Sequence, residues 1–317
     1  MKRHLISFLA IFTFVVVAAT QASAQVRPPV PRPSQKASVL QTVGTSDISI
    51  TYSRPAVKGR LVYGEWPTAV AGEATLDNQN VRPKDAPLVP WGHIWRAGAN
   101  EATLFVTPDD VLVNGQLLPA GKYSFHTIPA KDEWTIIFNK DDGQWGSFAY
   151  DAAKDALRVK AKAQWVADSQ ELLTFYADPV TENSATFNLR WEKAKVPFTV
   201  EVKDVVGSTM KRLEAYVAGA KSDDPAPATN AANYAKASKL NEAATKWYDA
   251  ALRASDEQIK AKPNFANYGR RANILVAAGR MQEALAAAEK AIEIGKAEKA
   301  DTSALEKRIA DLKAGKQ

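Results

Sequence analysis

Short stretches in which apolar and polar residues alternate fill the chain up to about residue 202. Phe187, Leu189 and Trp191 fall at every second position, and residues 134–139 repeat this pattern. A period of two places successive side chains on opposite faces of a β-strand. Nine such stretches are predicted to be strands: Val39–Gln41, Ile48–Tyr52, Ala102–Thr107, Lys122–Ile128, Trp134–Asn139, Leu157–Trp165, Leu172–Ala177, Ala185–Glu192 and Phe198–Val202.

Turn residues, rather than helical patterns, separate these strands. That order is typical of an antiparallel β-sandwich or a jelly-roll-like barrel. We therefore expect one β-domain over residues 38–203, which is long enough to bury a core of its own. The predicted fold class is α+β with several domains, because the pattern becomes helical after Lys203.

A connecting helix is predicted over residues 204–219. Four apolar residues at helical spacing would form its buried face: Val206, Met210, Leu213 and Val217. Residues 220–230 contain the Asp, Pro and Ala that are typical of a linker.

Residues 231–317 are rich in alanine and contain an internal repeat. Glu242-Ala243 recurs as Glu283-Ala284, 41 positions later (283 − 242), and this predicts two helical hairpins followed by a terminal helix from about Thr302. The second hairpin is similar to a tetratricopeptide repeat, whereas the first matches poorly. Two interpretations of this helical region remain open. It is either a small helical cap on the β-domain or a peptide-binding array, because so few repeats make only a weak solenoid.

The first 24 residues have the order of a secretory signal peptide. Lys2 and Arg3 precede an apolar run from Leu5 to Ala19, and Ala22-Ser23-Ala24 follows it. The alternative is an uncleaved anchor, but the run is shorter than the ~20 residues of a spanning helix. We expect cleavage after Ala24, an extended Pro-rich leader over residues 25–37, and a periplasmic or secreted protein without a transmembrane segment.

Composition narrows the classes of function. The sequence has no cysteine. The protein therefore cannot form a disulfide and has no cysteine to which a lipid could be attached. The formal charge is +6, and it becomes +4 without Lys2 and Arg3 (41 − 2 − 35). This mild excess is spread along the chain rather than gathered in a basic tract, so we expect no nucleic-acid partner.

Several distinctive segments occur in order between Gln35 and Val202: Tyr52-Ser53-Arg54-Pro55, Lys58-Gly59-Arg60, Val89-Pro90-Trp91-Gly92, Trp95 to Thr103, Leu118 to Ser124 and Trp134 to Asn139. Together they resemble the family Domain of Unknown Function 2911. The resemblance implies an exported bacterial protein whose β-domain is often followed by tetratricopeptide-like helices. It implies no activity, since none is established for the family. Residues 66–86 depart from the family pattern as an inserted polar loop.

Cationic and aromatic residues concentrate in the predicted loops of the β-domain. Guanidinium groups hold a carboxylate, sulfate or phosphate at two points, and an indole offers an apolar wall. The predicted ligand is therefore anionic or sugar-like. The candidate binding residues are Arg54, Lys58, Arg60, Trp95, Arg96, Asn100, Glu101 and His126. The alternative is that the arginines only bond loop carbonyls and that the tryptophans belong to the core.

Three hypotheses of function stay open. The first is a non-catalytic binding or interaction protein of the bacterial envelope, with the C-terminal helices as candidates for contacting a partner protein. The second is an envelope hydrolase that uses Glu101 with His126 or His93 as an acid–base pair. The third is a purely structural module. Neither a metal nor a cofactor is expected, because the sequence lacks metal-ligand spacing, a G-x-S-x-G nucleophile motif and a phosphate-binding glycine loop.

Overall fold

The computed structural model describes residues 30–66 and 86–314. The predicted signal peptide, the first part of the leader and most of the inserted loop lie outside these residues. The described part of the β-domain contains twelve strands: β1 (Gln35–Val43), β2 (Ser46–Arg54), β3 (Tyr63–Gly64), β4 (Val89–Pro90), β5 (Thr103–Thr107), β6 (Val111–Val113), β7 (Gln116–Leu118), β8 (Gly121–Ile128), β9 (Glu133–Asn139), β10 (Asp155–Lys162), β11 (Gln164–Val180) and β12 (Ser184–Glu201).

Two antiparallel sheets form the β-domain. The six-stranded sheet has the order β1-β2-β5-β8-β9-β10, and the four-stranded sheet has the order β11-β12-β6-β7. The apolar core lies between them: the ring of Phe125 on β8 is 5.6 Å from that of Phe175 on β11 and 5.4 Å from that of Phe198 on β12. This arrangement confirms the antiparallel β-domain that the alternating pattern predicted. β3 and β4 form a separate parallel pair.

Several strand boundaries differ from those predicted. The two predicted strands Ala185–Glu192 and Phe198–Val202 form the single strand β12 (Ser184–Glu201). The pairing of β12 with β11 and β6 keeps the polar residues near Lys193 within the ladder. The predicted strand Leu157–Trp165 is divided at Ala163 between β10 and β11. β1 begins at Gln35 and so includes the end of the predicted leader.

Helices occupy the C-terminal third, as the periodicity predicted. The described residues contain six: α1 (Val205–Ala218), α2 (Ala226–Ala237), α3 (Asn241–Ala261), α4 (Phe265–Ala277), α5 (Met281–Ala297) and α6 (Ser303–Lys313). α2 takes in the second half of the predicted linker, because a proline is tolerated in the first turn of a helix and Pro227 stands there. Trp247 and Tyr248 are buried in the alanine-rich interhelical core. None of the described helices has both the length and the apolar composition that crossing a bilayer requires.

Polar contacts attach α1 to the turns of the β-domain. Arg212 on α1 donates from Nη2 to Asp109 Oδ2 at 2.6 Å, and the Ser46 hydroxyl donates to the same oxygen at 2.5 Å. The hydroxyls of Thr45 and Thr209 are 3.2 Å apart. These contacts fix the start of the helical region against the β1–β2 and β5–β6 turns.

Because of the contact between Arg212 and Asp109, we expect part of the free energy of unfolding to be lost at acidic pH. Burial raises the pKa of Asp109, but the hydrogen bonds from Arg212 and Ser46 together lower it by more than burial raises it. The pKa of Asp109 therefore lies below its ordinary value of 3.8. A carboxylate with a lowered folded-state pKa stabilises the native state above its unfolded pKa, and this contribution is lost as the pH falls through the folded pKa. Urea unfolding from about pH 7 to about pH 3 should therefore show a shallower loss of stability for Asp109→Asn than for the wild type. Parallel profiles would contradict this assignment.

Candidate functional site

The side chains of two predicted ligand-binding arginines are engaged with the protein's own oxygen atoms. Arg54, at the end of β2, donates from Nε to the Leu173 carbonyl at 2.8 Å and from Nη2 to Thr174 Oγ1 at 2.6 Å. It thereby joins the two sheets. Arg60 donates to the carbonyls of residues 57 and 56 in its own turn, at 3.1 and 2.6 Å. Both guanidinium groups hold the backbone in place.

The other predicted cleft residues are dispersed between surface and core. Lys58 is exposed, and its backbone amide donates to Glu171 Oε1 at 2.9 Å. Trp95 is only 3% exposed and stacks on Trp191 with ring centroids 5.7 Å apart. Arg96 is half-buried in the loop that precedes β5. Trp95 therefore presents no open face to a ligand.

A row of residues crosses the outer face of the six-stranded sheet, one from each strand. The strand register places these residues opposite one another in succession: Ser38, Thr51, Leu104, Ser124, Asn139 and Asp155. The hydroxyls of Ser38 and Thr51 are 3.1 Å apart, and Asn139 Nδ2 donates to Asp155 Oδ1 at 2.8 Å. The core residues Phe105 and Phe125 of the same strands point to the opposite face, since side chains alternate along a strand.

The loop of residues 140–154, between β9 and β10, covers part of this row. The Ala102 amide donates to the Gln144 carbonyl, and the Gly146 amide donates to the Asn100 carbonyl, both at 3.0 Å. These bonds make a short antiparallel ribbon from residues 100–102 and 144–146. The Asn100 side chain donates to the Ser34 carbonyl at 3.0 Å, so it ties the ribbon to the start of the β-domain.

Asp155 holds the other end of the covering loop. Its carboxylate accepts from the Tyr150 hydroxyl at 2.7 Å and from Arg158 Nε at 2.6 Å, in addition to Asn139. Burial, and then the hydrogen bond to Asp155, raise the pKa of Tyr150 far above its ordinary value of 10.0. The phenol therefore stays protonated as the donor that the loop needs.

A cavity of about 180 Å³ lies where the ribbon meets the outer face of the sheet. The residues that give it its chemistry are Lys36, Ser53, Glu101, Leu104, Asp142 and Gln144. Its charged lining residues give a formal charge of −1, from one lysine and two carboxylates (1 − 2). The cavity combines donors, acceptors and an apolar wall within a small volume.

Gln144 places a buried acceptor beside this cavity. The residue is only 6% exposed, and its Nε2 donates to the Asp141 carbonyl at 3.2 Å and approaches Ser124 Oγ at 3.4 Å. Its Oε1 accepts no hydrogen bond from any residue that the structure describes. A buried acceptor without a donor costs about 1–3 kcal/mol.

Both predicted histidines are buried outside the lining of the cavity. His126 is 0% exposed, with Nε2 3.0 Å from Ser124 Oγ and its ring edge-on to that of Tyr150. His93 is 2% exposed. Of the proposed acid–base pair, the cavity therefore contains Glu101 alone. Residues 30–66 and 86–314 also contain no group of three or more His, Cys, Asp or Glu side chains that could hold a metal ion.

Two larger grooves, of about 520 and 580 Å³, flank α6. Arg308 lines both of them. The first also contains Phe265 and Arg270, and the second contains Lys236 and Asp311. Both grooves mix apolar and charged side chains.

Of the six cavity residues named above, only Glu101 was among the predicted binding residues. The five that were absent from that prediction are Lys36, Ser53, Leu104, Asp142 and Gln144. Leu104 did give a signal, because it is an apolar residue at an outward-facing position of a predicted strand. Lys36 lies in the segment that was predicted to be the leader. Gln144 directly follows Asp141-Asp142-Gly143, and these three residue types are typical of a turn, so nothing in the local sequence indicated a site there. Only the tertiary fold brings them together.

The fold and the cavity define a class: a two-sheet β-domain protein with a helical C-terminal region and a small cavity on the outer face of one sheet. A profile described as "Protein of unknown function (DUF2911)" matches residues 34–200, more than half of the 317-residue chain. The chain belongs to this family. All the cavity residues named above lie within the matched range, whereas the helices lie outside it. No curated protein matches the chain, and no solved structure matches it.

Proposed function

We propose that the chain is an exported, non-catalytic binding protein of the bacterial cell envelope, and that the cavity beside Gln144 holds its small polar ligand. The order of residues 1–24 supports export. The observation that carries the binding site is the cavity itself, whose lining brings polar and charged side chains together with the apolar Leu104: Lys36, Ser53, Glu101, Asp142 and Gln144. In this proposal the tetratricopeptide-like helices contact a partner protein through the grooves beside α6.

Charge and size restrict the ligand. The formal charge of −1 in the lining disfavours an anion, so the sugar-like ligand is favoured over the anionic one. The volume of about 180 Å³ is below the roughly 300–1,000 Å³ of most small-molecule pockets. A cavity of this size suits one small molecule or the terminal unit of a longer one. Binding is favoured over hydrolysis because neither of the two predicted histidines is among the residues that line the cavity with Glu101.

Leu104→Phe should abolish ligand binding without unfolding the protein. Leu104 is half-buried on the outer face of β5 and lines the cavity, so a larger aromatic ring there would project into the cavity and obstruct a bound ligand. Val106→Phe is the matched control, because Val106 is half-buried on the same face of the same strand and does not line the cavity.

Thermal unfolding of residues 25–317 with monosaccharides, amino acids, alkylamines, phosphate and sulfate provides the measurement. A ligand at 100 times its Kd stabilises the native state by about 2.7 kcal/mol, which is several degrees in Tm for a chain of this size. The wild type and Val106→Phe should show this rise with the same ligand, and Leu104→Phe should not. Equal rises in all three proteins would exclude the cavity as the site.

A further inference from the structure

We infer that the two grooves beside α6 together hold one extended segment of a partner protein, and that this segment is rich in acidic and apolar residues. The inference rests on the part of the proposed function that gives the helices a partner protein. It adds the chemistry of that partner and the side chains that select it.

The two grooves lie along one face of α6. Their α6 residues are spaced three or four positions apart, which places side chains on the same side of a helix: Ala304, Leu305, Arg308, Asp311 and Leu312. α4 contributes Phe265 and Arg270 to the first groove and Val276 to the second. Arg308 lines both grooves, so they meet at its side chain and can hold one continuous segment.

The dimensions and the apolar lining of the grooves suit a short extended segment. From Ala304 to Leu312 the axis of α6 rises about 12 Å, and an extended chain covers that distance with about four residues. Phe265, Leu305 and Leu312 are half-buried in the lining, so each still exposes apolar surface. Apolar side chains of the bound segment would remove that surface from water.

Three cationic side chains line the grooves, one from each of three helices. They are Lys236 of α2, Arg270 of α4 and Arg308 of α6, and all three are exposed. Within residues 30–66 and 86–314 none of the three forms an ion pair with a carboxylate. Their hydrogen-bond partners there are neutral oxygens: the Ala277 carbonyl at 2.6 Å, Gln258 Oε1 at 2.9 Å and Asn273 Oδ1 at 2.6 Å.

Two neighbouring arginines, which line neither groove, are paired with carboxylates instead. Arg271 Nε is 2.7 Å from Asp256 Oδ1, and Arg280 Nη2 is 2.6 Å from Glu283 Oε2. A guanidinium group has five N–H donors, and the two arginines of the grooves each use one of them in the bonds given above. They therefore keep donors for a carboxylate, which a guanidinium group binds at two points.

The main rival is a basic segment, which would pair with the two carboxylates of the lining, Asp301 and Asp311. Asp301 Oδ1 already accepts a hydrogen bond from the Ser303 amide at 2.9 Å, at the start of α6. The lining as a whole has a formal charge of +1, from three cations and two carboxylates (3 − 2). This charge repels a basic segment and attracts an acidic one, so the acidic segment is favoured.

Peptide display followed by fluorescence anisotropy tests the inference. Short random peptides displayed on phage are selected on immobilised residues 25–317, and the selected peptides are then synthesised with a fluorescent label. One variant combines Arg270→Gln with Arg308→Gln, and its control is Arg253→Gln. A second variant is Ala304→Trp, and its control is Ala310→Trp. Arg253 and Ala310 are exposed and line neither groove.

We expect the selected peptides to be rich in Asp, Glu and apolar residues. The double variant should bind them about tenfold more weakly, because it removes two of the three cations, whereas Arg253→Gln should bind them as the wild type does. Ala304→Trp should abolish binding, because its ring would project into the first groove. Ala310→Trp should leave binding unchanged.

The other outcomes separate this inference from the proposed function. If the selected peptides are basic or uncharged, and Ala304→Trp abolishes their binding, the grooves contact a partner but the acidic inference is wrong. If acidic peptides bind the wild type and the double variant equally, the role given to the two arginines is wrong. If no peptide is selected, or if Ala304→Trp leaves binding unchanged, both the inference and the partner contact through the grooves fail. The cavity on the outer sheet face is a separate claim, which the thermal unfolding of Leu104→Phe decides.

Discussion

Trp95→Ala should lower the free energy of unfolding by about 3–5 kcal/mol, whereas Trp145→Ala should change it by less than about 0.5 kcal/mol. Trp95 is 3% exposed, stacks on Trp191 and lies edge-on to Trp134 with centroids 6.4 Å apart. Its truncation leaves a cavity between the two sheets that neighbouring side chains cannot fill. Trp145 is 39% exposed, so its truncation leaves no such cavity.

Urea unfolding followed by far-ultraviolet circular dichroism measures both variants without relying on indole fluorescence. The sequence predicted Trp95 as an apolar wall for a ligand, and the structure places it in the core. If Trp95→Ala kept wild-type stability and instead lost ligand binding, the core placement would be contradicted. We expect Trp95 to be needed for stability and not for ligand binding.

Asp155→Ala should cost about 2–4 kcal/mol of stability. The carboxylate accepts hydrogen bonds from Asn139, Tyr150 and Arg158, and its side chain is only 10% exposed. Its removal leaves the buried amide of Asn139 without this acceptor and frees one end of the loop of residues 140–154. Asp155→Asn should lie between the wild type and Asp155→Ala, because an amide keeps one carbonyl acceptor.

Asp151→Ala is the matched control for the loop. Asp151 is exposed on the same loop, and its side chain accepts one hydrogen bond, from the Ala153 amide. Its replacement should cost about 1 kcal/mol or less. Urea unfolding and the rate of proteolysis within residues 140–154 should both separate the two variants. Equal losses of stability would contradict the role assigned to Asp155.

The strands of the two sheets could largely be predicted from the sequence, because the alternation of apolar and polar residues that indicates a strand lies within a few consecutive residues. A strand with one buried face must alternate, and Trp134, Ile136 and Phe138 do so. The hairpin of β6 and β7 was missed although its signal is also local. Asn114-Gly115 joins the two strands with φ of 46° and 81°, and an Asn-Gly pair is the usual sequence of such a tight turn.

The candidate site was only partly readable because its residues meet through long-range contacts. Glu101 was predicted on residue type and loop position, and it does line the cavity. Lys36 and Gln144 join it only because β1 pairs with β2 and because the loop after β9 folds back over the sheet. The sequence also could not separate Trp95 from Trp145, because tertiary packing alone buries one and leaves the other partly exposed.

The most direct test of the account is a ¹H–¹⁵N nuclear magnetic resonance titration with the ligand that raises the Tm most in the thermal-unfolding assay. The account predicts that the side-chain amide of Gln144 and the backbone amides of Glu101 and Leu104 shift with saturation, because these residues line the cavity. The indole signals of Trp95 and Trp191, which are buried in the core, should stay in place. Saturable shifts confined to the helices, with Gln144, Glu101 and Leu104 unchanged, would contradict the claim that the outer-face cavity is the binding site.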